Sequence, residues 1–360
     1  MRVIFATGGT GGHLYPAVAL CQYLQEHHEN VEVMFVGTLN RLESQVIPQM
    51  GYPYKGVDVM GLSGNPLRKL KALFKFVLSL SKTRKICKEF KPDIVIGFGG
   101  YVSASVVLSA SMLKIKTMIH EQNSIIGLTN KILIKHVDSI VCCYDKAYEQ
   151  FPKDKTQLLG NPRATAVVNA VKNENIKEQY HIDDAKKTVL IVMGSLGSGT
   201  VNEVIKEAIG SFGDKDYNII FATGKNGYDK MKDLHVPENV QLVPYIDDMP
   251  SLLQEVDLVV TRAGATTLAE LCALGKAMII IPSPYVAANH QEFNAMELVD
   301  KGAAKMIKEK DLTKQAIVDM IDETLADDQV IESLEKNAKI CGKADACPKM
   351  DALICKLIGE

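Results

Sequence analysis

Two glycine-rich segments, one at the start of each half of the chain, most constrain its fold. Residues 8–13 (GGTGGH) follow the apolar run 1–7, and residues 194–199 (GSLGSG) follow the run 188–193. Each run is typical of a buried parallel strand, and each glycine segment precedes an apolar-periodic helix. A strand, a glycine loop and a helix N-terminus make an anion site, because backbone N–H groups and the helix dipole point at the ligand. The sequence predicts two nucleotide-type domains that face one cleft and move a group between phosphorylated molecules.

Length and composition indicate an ordinary globular protein with two domains. The chain has 360 residues, which is long for one core, with 47% hydrophobic and 23% charged residues. No apolar run is long enough to span a bilayer, and a strand at the very start predicts no signal peptide. The eight cysteines include no C-x-x-C pair. Buried thiols are therefore expected rather than zinc or thioredoxin chemistry.

Charge is divided unevenly between the halves. Residues 1–164 hold 20 basic against 12 acidic side chains, a net charge of +8, whereas residues 165–360 hold 21 against 31, a net charge of −10. The asymmetry indicates that the N-terminal half meets something anionic. Nucleic acid is not expected, because the chain has no binding motif and no Trp, and its aromatic residues do not interleave with basic ones.

Strands alternate with helices along the whole chain, which predicts the α/β class with parallel sheets covered by helices on both faces. A polar stretch rich in Asn and Lys, residues 165–187, separates the halves and contains the predicted domain boundary. The predicted strands are residues 3–6, 31–36, 93–97, 116–119 and 139–142 in the first half, and 189–193, 218–222, 240–243, 258–261 and 277–281 in the second.

The first glycine loop has two interpretations. A dinucleotide site needs an acid at the end of the second strand, but that strand ends in VGTLN at residues 36–40. Arg41 could bind an NADP phosphate, so a dehydrogenase stays a minor alternative. His13, beside the loop, is either a capping residue or a general base. A helix N-terminus disfavours imidazolium and keeps the ring able to accept a proton.

Other polar segments follow strands in the first half. Residues 97–101 (GFGGY) form a third glycine loop or a tight turn, and residues 120–123 (HEQN) present four consecutive hydrogen-bonding side chains. Adjacent residues of an extended chain point to opposite sides, so His120 and Glu121 are a poor metal pair.

In the second half, residues 264–267 offer N–H groups and hydroxyls to a diphosphate, with Arg262 close in sequence. Glu270 either binds ribose hydroxyls or interacts with the helix dipole. His290, Gln291 and Glu292 follow the loop 282–289 and could face the same cleft.

Seven motifs in register carry a resemblance over essentially the whole chain: GGTGGH, GFGGY, HEQN, GNPR, GSLGSG, TRAGATTLAEL and HQEFNA. Together they resemble the MurG family of peptidoglycan glycosyltransferases. The resemblance implies a GT-B fold, two Rossmann-like doubly wound domains facing a central cleft. It implies an acceptor and membrane-facing domain of residues 1–164 plus 344–360, because the last helix crosses back, and a donor-binding domain of residues 165–343.

The implied reaction is an inverting transfer of N-acetylglucosamine from UDP-N-acetylglucosamine to the C4 hydroxyl of undecaprenyl-diphospho-N-acetylmuramoyl-pentapeptide (lipid I), giving lipid II. The resemblance implies that no cofactor is required and that a divalent cation is at most stimulatory. Cell-wall synthesis proteins are candidate partners. The alternatives are a UDP-N-acetylglucosamine 2-epimerase, a diacylglycerol glycosyltransferase, or a non-catalytic binder of nucleotide or anionic lipid.

The resemblance also implies residue roles. His13 is the candidate base, and Gly99, Gly100 and Tyr101 lie on the acceptor side. Leu196 stands where family members often have Gln, which leaves no hydrogen-bonding side chain there. The implied donor-binding residues are Thr10, Gly11, Gly12, Asn123, Arg163, Ser195, Ile246, Arg262, Ala265, Thr266, Thr267, Glu270 and Gln291.

The segment 66–91 predicts an amphipathic helix that begins at Asn65 and Pro66. Its apolar stripe is expected to pack on the N-terminal core. Nine basic residues against one acid exceed what such packing explains. Since a polyprenyl substrate lies in a bilayer, this charge predicts peripheral docking on the anionic cytoplasmic surface of the cell membrane. The stripe consists of Leu67, Leu70, Leu73, Phe74, Val77 and Leu80.

Overall fold

The structure is a computed structural model that describes residues 1–61, 65–194 and 197–360. The chain divides into two compact units, here called unit 1 (Met1–Thr165 with Asp345–Glu360) and unit 2 (Ala166–Ala344). Each boundary between the two units falls one residue after the boundary expected from the sequence. The last segment of the chain belongs to unit 1.

Unit 1 contains a seven-stranded parallel sheet with helices between successive strands. The strands are β1 (Arg2–Thr7), β2 (Glu32–Thr38), β3 (Tyr54–Val57), β4 (Ile94–Gly99), β5 (Lys116–Glu121), β6 (Ser139–Cys142) and β7 (Thr156–Leu158). The helices are α1 (Gly11–His27), α2 (Leu42–Gln49), α3 (Pro66–Phe90), α4 (Tyr101–Met112), α5 (Leu128–Leu133), α6 (Asp145–Gln150) and α7 (Pro162–Val168), which ends in unit 2.

Unit 2 repeats this plan with a six-stranded parallel sheet. Its strands are β8 (Lys187–Val192), β9 (Tyr217–Ala222), β10 (Val240–Val243), β11 (Leu258–Thr261), β12 (Ala277–Ile280) and β13 (Lys305–Met306). Its helices are α8 (Ile176–Gln179), α9 (Gly199–Ala208), α10 (Lys225–Met231), α11 (Met249–Glu255), α12 (Ala265–Leu274), α13 (His290–Asp300), α14 (Lys314–Leu325) and α15 (Asp328–Cys341); α16 (Ala346–Ile358) returns to unit 1.

Both sheets have the doubly wound strand order. The order is β3-β2-β1-β4-β5-β6-β7 in unit 1 and β10-β9-β8-β11-β12-β13 in unit 2. In each sheet the order of the strands changes direction between the first and fourth strands of that unit, which lie side by side and run parallel. The crevice at the carboxyl ends of those two strands is where ligands of open α/β sheets bind. The predicted fold class is therefore confirmed, and it locates one candidate site in each unit.

The central strands are buried on both faces, which explains why their sequences are continuous apolar runs. β1 and β4 are covered on both faces, so Phe5, Phe98 and their neighbours are fully buried. Phe5 stacks on Phe35 at 5.1 Å between ring centroids. α16 completes this core with Met350 and Ile354, both fully buried.

The structure overturns one expectation about α3. Its apolar stripe does not pack on the core: Leu67 is 78% exposed and Phe74 63%. The helix instead packs on α4 through small residues, of which Thr83 donates to the carbonyl of Ser105 at 3.1 Å. Small side chains allow close helix packing, and the hydroxyl hydrogen bonds satisfy their polar atoms. The predicted start is confirmed, since Asn65 accepts from the N–H of Arg68.

Candidate active site

In unit 1, two glycine loops meet at the carboxyl ends of β1 and β4. The strands pair in parallel, with Thr7 opposite Gly99. Gly99 has φ of +110°, and a Cβ there would lie 2.7 Å from Cδ2 of His13. Only glycine fits both the left-handed backbone and the histidine ring packed against it. The structure thus brings the first loop, with Thr10, Gly11 and Gly12, to the third loop.

His13 is the third residue of α1, and its ring is held by the preceding loop. Nδ1 lies 3.0 Å from the carbonyl oxygen of Gly8 and 3.4 Å from Oγ1 of Thr10. A carbonyl oxygen only accepts, so Nδ1 donates to Gly8. In the neutral ring this tautomer puts the lone pair on Nε2. This is the arrangement that a general base of the predicted kind needs.

Sequence reasoning missed one residue at this site, Glu43. Its carboxylate is fully buried and accepts from the N–H of Gly9 at 3.2 Å and from the N–H of Thr38 at 3.0 Å. The acid sought after the second strand therefore lies just beyond Asn40, in the first turn of α2. It faces the glycine loop, where no dinucleotide ribose would bind it. Its position soon after β2 was the signal available in the sequence.

The segment 120–123 ends β5 and lies beside these loops. His120 is fully buried, and burial lowers its pKa to about 4. Its Nε2 donates to the carbonyl of Gly160 at 3.1 Å, and its ring stands 5.1 Å from that of Phe98. A charge on His13 would lower the pKa of His120 further.

Glu121 organises the loop that follows β5. Burial raises the pKa of its carboxyl group, while backbone N–H groups of Gly127 and Asn123, at 2.8 and 3.0 Å, act against that shift. Asn130 donates to the same carboxylate at 2.9 Å. His120 and Glu121 thus have different partners, consistent with their opposite directions on the strand.

The remaining predicted residues of unit 1 lie at helix starts. Tyr101 is the first residue of α4, is 37% exposed and follows Gly100. Arg163 is the second residue of α7, and its N–H donates to the side chain of Asn161 at 3.0 Å.

In unit 2, α12 begins directly after β11 and supplies most of the predicted diphosphate site. Its N-cap is Gly264, and Ala265, Thr266 and Thr267 form its first turn. A glycine cap brings no side-chain acceptor, so the helix N-terminus presents backbone N–H groups to a ligand. Glu270 lies in the second turn and is 8% exposed.

Arg262 is held in a network within unit 2. Its guanidinium pairs with Glu309 at 2.6 Å and donates to Oγ of Ser198 at 2.6 Å. It also donates to the carbonyl of Ile281 at 3.1 Å. Glu309 compensates the charge of Arg262, which reduces the attraction of Arg262 for an anion. The hydrogen bond from Arg262 to Ser198 instead helps to orient the second glycine loop.

Gln291 and Ile246 complete the predicted donor set that the structure describes. The side-chain oxygen of Gln291 accepts from the N–H of Ser283 at 2.8 Å, which directs its amide N–H₂ elsewhere. Ile246 is buried in the core of unit 2, so a ligand would meet its backbone. Ser195 and Leu196 lie outside the described residues.

Among the described residues, one group offers three ligand atoms to a metal ion: His28, Asp351 and Cys355, within 4.8 Å of one another. It follows the C-terminal end of α1, about 25 Å of helix from the glycine loop. Nε2 of His28 is within hydrogen-bond distance of Asp351, at 2.7 Å, and this contact ties α16 to α1.

Comparison with known proteins identifies the family to which this chain belongs. Residues 3–142 match the glycosyltransferase family 28 N-terminal domain, and residues 188–349 match the glycosyltransferase family 28 C-terminal domain. The chain belongs to glycosyltransferase family 28. The glycosyltransferase activity and the GT-B fold expected from the seven motifs are thereby confirmed, and a dehydrogenase is not supported.

Family 28 relatives align with this chain almost from end to end. A Bacillus cytotoxicus protein named UDP-N-acetylglucosamine–N-acetylmuramyl-(pentapeptide) pyrophosphoryl-undecaprenol N-acetylglucosamine transferase is 43% identical over 97% of both chains. A Bacillus cereus protein of the same name, numbered 1, is 44% identical over 99% of this chain and all of its own. The crystal structure of Acinetobacter baumannii MurG covers 99% of both chains at 29% identity, with a TM-score of 0.82.

Proposed function

We propose that this family 28 enzyme transfers N-acetylglucosamine from UDP-N-acetylglucosamine to lipid I and so forms lipid II in peptidoglycan synthesis. One observation carries the proposal: relatives named for this transfer are 43–44% identical over 97–99% of the chain. The seven motifs lie in both domains, so the likeness covers the donor half and the acceptor half alike.

In the proposed reaction, the C4 hydroxyl of the muramoyl sugar attacks the anomeric carbon of the donor. A bond forms between the C4 oxygen and the anomeric carbon, and the bond from the anomeric carbon to the diphosphate oxygen breaks, its electron pair leaving with UDP. The hydroxyl proton goes to Nε2 of His13, which the hydrogen bond from Nδ1 to Gly8 supports. A single displacement inverts the anomeric centre.

The departing diphosphate needs positive potential, and backbone groups of unit 2 are suited to supply it. The N-terminus of α12 presents N–H groups after Gly264, and α9 begins at Gly199, just after the second glycine loop. Arg262 contributes less, since Glu309 pairs with it. We therefore propose that no metal ion is required for the chemical step.

The enzyme is proposed to dock on the anionic cytoplasmic membrane surface as a peripheral protein, through a surface defined here as the α3 patch. It consists of the exposed apolar residues Leu67, Leu70, Leu73, Phe74 and Val77 with the exposed basic residues Arg68, Lys69 and Lys71. An exposed apolar stripe flanked by basic charge fits a lipid surface, which offers acyl chains and anionic headgroups together. No helix in the described ranges has the length and apolar character to cross a bilayer.

A turnover assay tests the proposal. Purified enzyme is incubated with UDP-N-acetylglucosamine and a short-chain lipid I analogue, and both UDP and the disaccharide product are measured. The expected result is equal release of both products. Turnover of the donor alone to a C2 epimer would identify an epimerase, transfer to diacylglycerol would identify a glycolipid synthase, and binding without turnover would identify a binder.

A further inference from the structure

Glu43 and His13 are connected through a single peptide group. The amide that links Gly8 to Gly9 donates its N–H to Oε2 of Glu43 at 3.2 Å. The carbonyl of the same amide accepts from Nδ1 of His13 at 3.0 Å. The carboxylate, the peptide and the imidazole therefore form one hydrogen-bonded chain, although Glu43 lies 34 residues from Gly9 in the sequence.

The carboxylate of Glu43 is fixed for this contact. It is fully buried, and its other oxygen accepts from the N–H of Thr38 at 3.0 Å and from Oγ1 of Thr38 at 2.6 Å. A Cβ on Gly8 would lie 2.9 Å from Oε1 of Glu43, so only glycine lets the loop approach this closely. An ionised carboxylate only accepts, which matches the three donors around it.

We propose that Glu43 is a positioning residue that acts on His13 through the Gly8–Gly9 peptide. Hydrogen bonds in a chain polarise one another, so the carboxylate makes the Gly8 carbonyl a stronger acceptor. That acceptor keeps the hydrogen of His13 on Nδ1 and the lone pair on Nε2. When Nε2 takes the proton of the acceptor hydroxyl, the same chain stabilises the imidazolium. In a hydrolase triad, the acid orients the histidine and stabilises the imidazolium through a direct hydrogen bond.

The catalytic part of this inference rests on the proposed function, whereas the tautomer of His13 does not. The experiment therefore has two readouts on the full-length protein. The first is ¹⁵N NMR of His13 at neutral pH without substrate, which distinguishes a hydrogen on Nδ1 from one on Nε2. The second is the steady-state kcat and KM with UDP-N-acetylglucosamine and the lipid I analogue.

Glu43→Gln keeps the shape of the side chain and removes its charge. We expect a measurable rise in the Nε2–H tautomer of His13 and a roughly 10–100-fold lower kcat, the range seen when outer-shell partners of an active group are lost. The KM for UDP-N-acetylglucosamine should stay within about twofold of the parent value, because the hydrogen bonds described for the Glu43 carboxylate go to Thr38 and to the loop backbone.

Asp138→Asn is the matched control. Asp138 accepts from the N–H and Oγ1 of Thr117, both at 2.8 Å, as Glu43 does from Thr38. It lies near the amino end of β5, away from the glycine loops, so its loss should change neither readout. A loss of kcat in this variant as large as in Glu43→Gln would mean that such bonds act through stability, and it would overturn the positioning role.

The parent protein alone is a test that needs no variant. A His13 ring that carries its hydrogen on Nε2 would overturn the inference, and so would a Glu43→Gln protein with the tautomer and kcat of the parent. A shifted tautomer with unchanged kcat would overturn the positioning role. If the parent fails to turn over lipid I, the proposed function fails, and the tautomer measurement still decides whether the chain of hydrogen bonds acts on His13.

Discussion

His13 is the residue on which the proposed chemistry depends most directly. His13→Ala removes the group that takes the hydroxyl proton and should lower kcat by ~10²–10⁴-fold, as expected for a positioned base. Donor binding, measured by titration with UDP-N-acetylglucosamine, should stay nearly unchanged, because the diphosphate site is proposed in unit 2. His27→Ala is the control, since His27 is an exposed histidine on the same helix. Near-parental turnover of His13→Ala would leave His13 a structural residue.

Glu270 and Gln291 form a pair of predictions about the donor. Glu270→Ala should weaken UDP and UDP-N-acetylglucosamine alike, by roughly 1.5–3 kcal/mol, because the proposed contact is to ribose. Gln291→Ala should weaken only the sugar nucleotide, because its amide is proposed to contact the sugar. Calorimetric titration of both ligands into both variants measures this. A Glu270→Ala defect confined to the sugar nucleotide would contradict the ribose contact.

For single residues, the sequence predicts which motif residues lie beside the glycine loops. It does not predict which residues, distant in the sequence, contact them. His13 was found because it follows a glycine loop after a buried strand. Glu43 was missed because its contact with Gly9 spans 34 residues and no motif marks it. The pairing of Arg262 with Glu309 was hidden for the same reason, so the positive charge expected near the diphosphate is compensated.

Among the elements, strands that contain an apolar run were predicted well and strands without one were not. Ten strands were located from apolar runs, and three of them, β6, β10 and β11, have the predicted bounds. The missed strands, β3, β7 and β13, lie at sheet edges, and none of them contains an apolar run that would stand out in the sequence. For α3, the helical spacing of the apolar residues predicted the helix correctly. The same spacing does not reveal whether the apolar face packs on the protein or faces solvent.

The α3 patch can be tested by charge reversal. Lys69→Glu with Lys71→Glu should weaken binding to anionic vesicles by about 30-fold or more at low salt, because each basic residue near such a surface contributes about 1 kcal/mol and the new carboxylates are repelled. The difference should shrink at high salt, while UDP affinity stays unchanged. Lys75 is spared because it pairs with Asp58 at 2.7 Å. Vesicle cosedimentation measures the binding.

Two further double variants complete the membrane test. Lys116→Glu with Lys356→Glu reverses two exposed charges of unit 1 outside the α3 patch and should leave vesicle binding near the parental value. Leu70→Ser with Phe74→Ser should weaken binding at both salt concentrations, because burial of apolar surface is not screened. Equal binding by the parent and by both patch variants at low salt would show that another surface docks.

For the whole molecule, the two units share one strand order but differ in charge and in how an anion would be met. In unit 1, the first glycine loop already holds the buried carboxylate of Glu43, bonded to Gly9. In unit 2, the N-cap of α12 is Gly264, which has no side chain to cap the helix. The likeness of the glycine loops was visible in the sequence, whereas this difference depends on one side chain brought in from α2. It favours unit 2 as the diphosphate site.

If helix N-termini bear the diphosphate charge, the whole enzyme should transfer sugar without a divalent metal. With acceptor in neutral detergent, excess chelator should leave kcat within about twofold of its value in Mg²⁺, because backbone N–H groups are fixed in place and cost no reorganisation. On anionic vesicles, Mg²⁺ should give only a modest stimulation, since it screens the surface. The measurement is UDP release in the four combinations of chelator or Mg²⁺ with detergent or vesicles. Activity in detergent that chelator abolishes, and that one metal restores at stoichiometric amounts, would mean that a bound ion supplies the positive potential assigned here to α9 and α12.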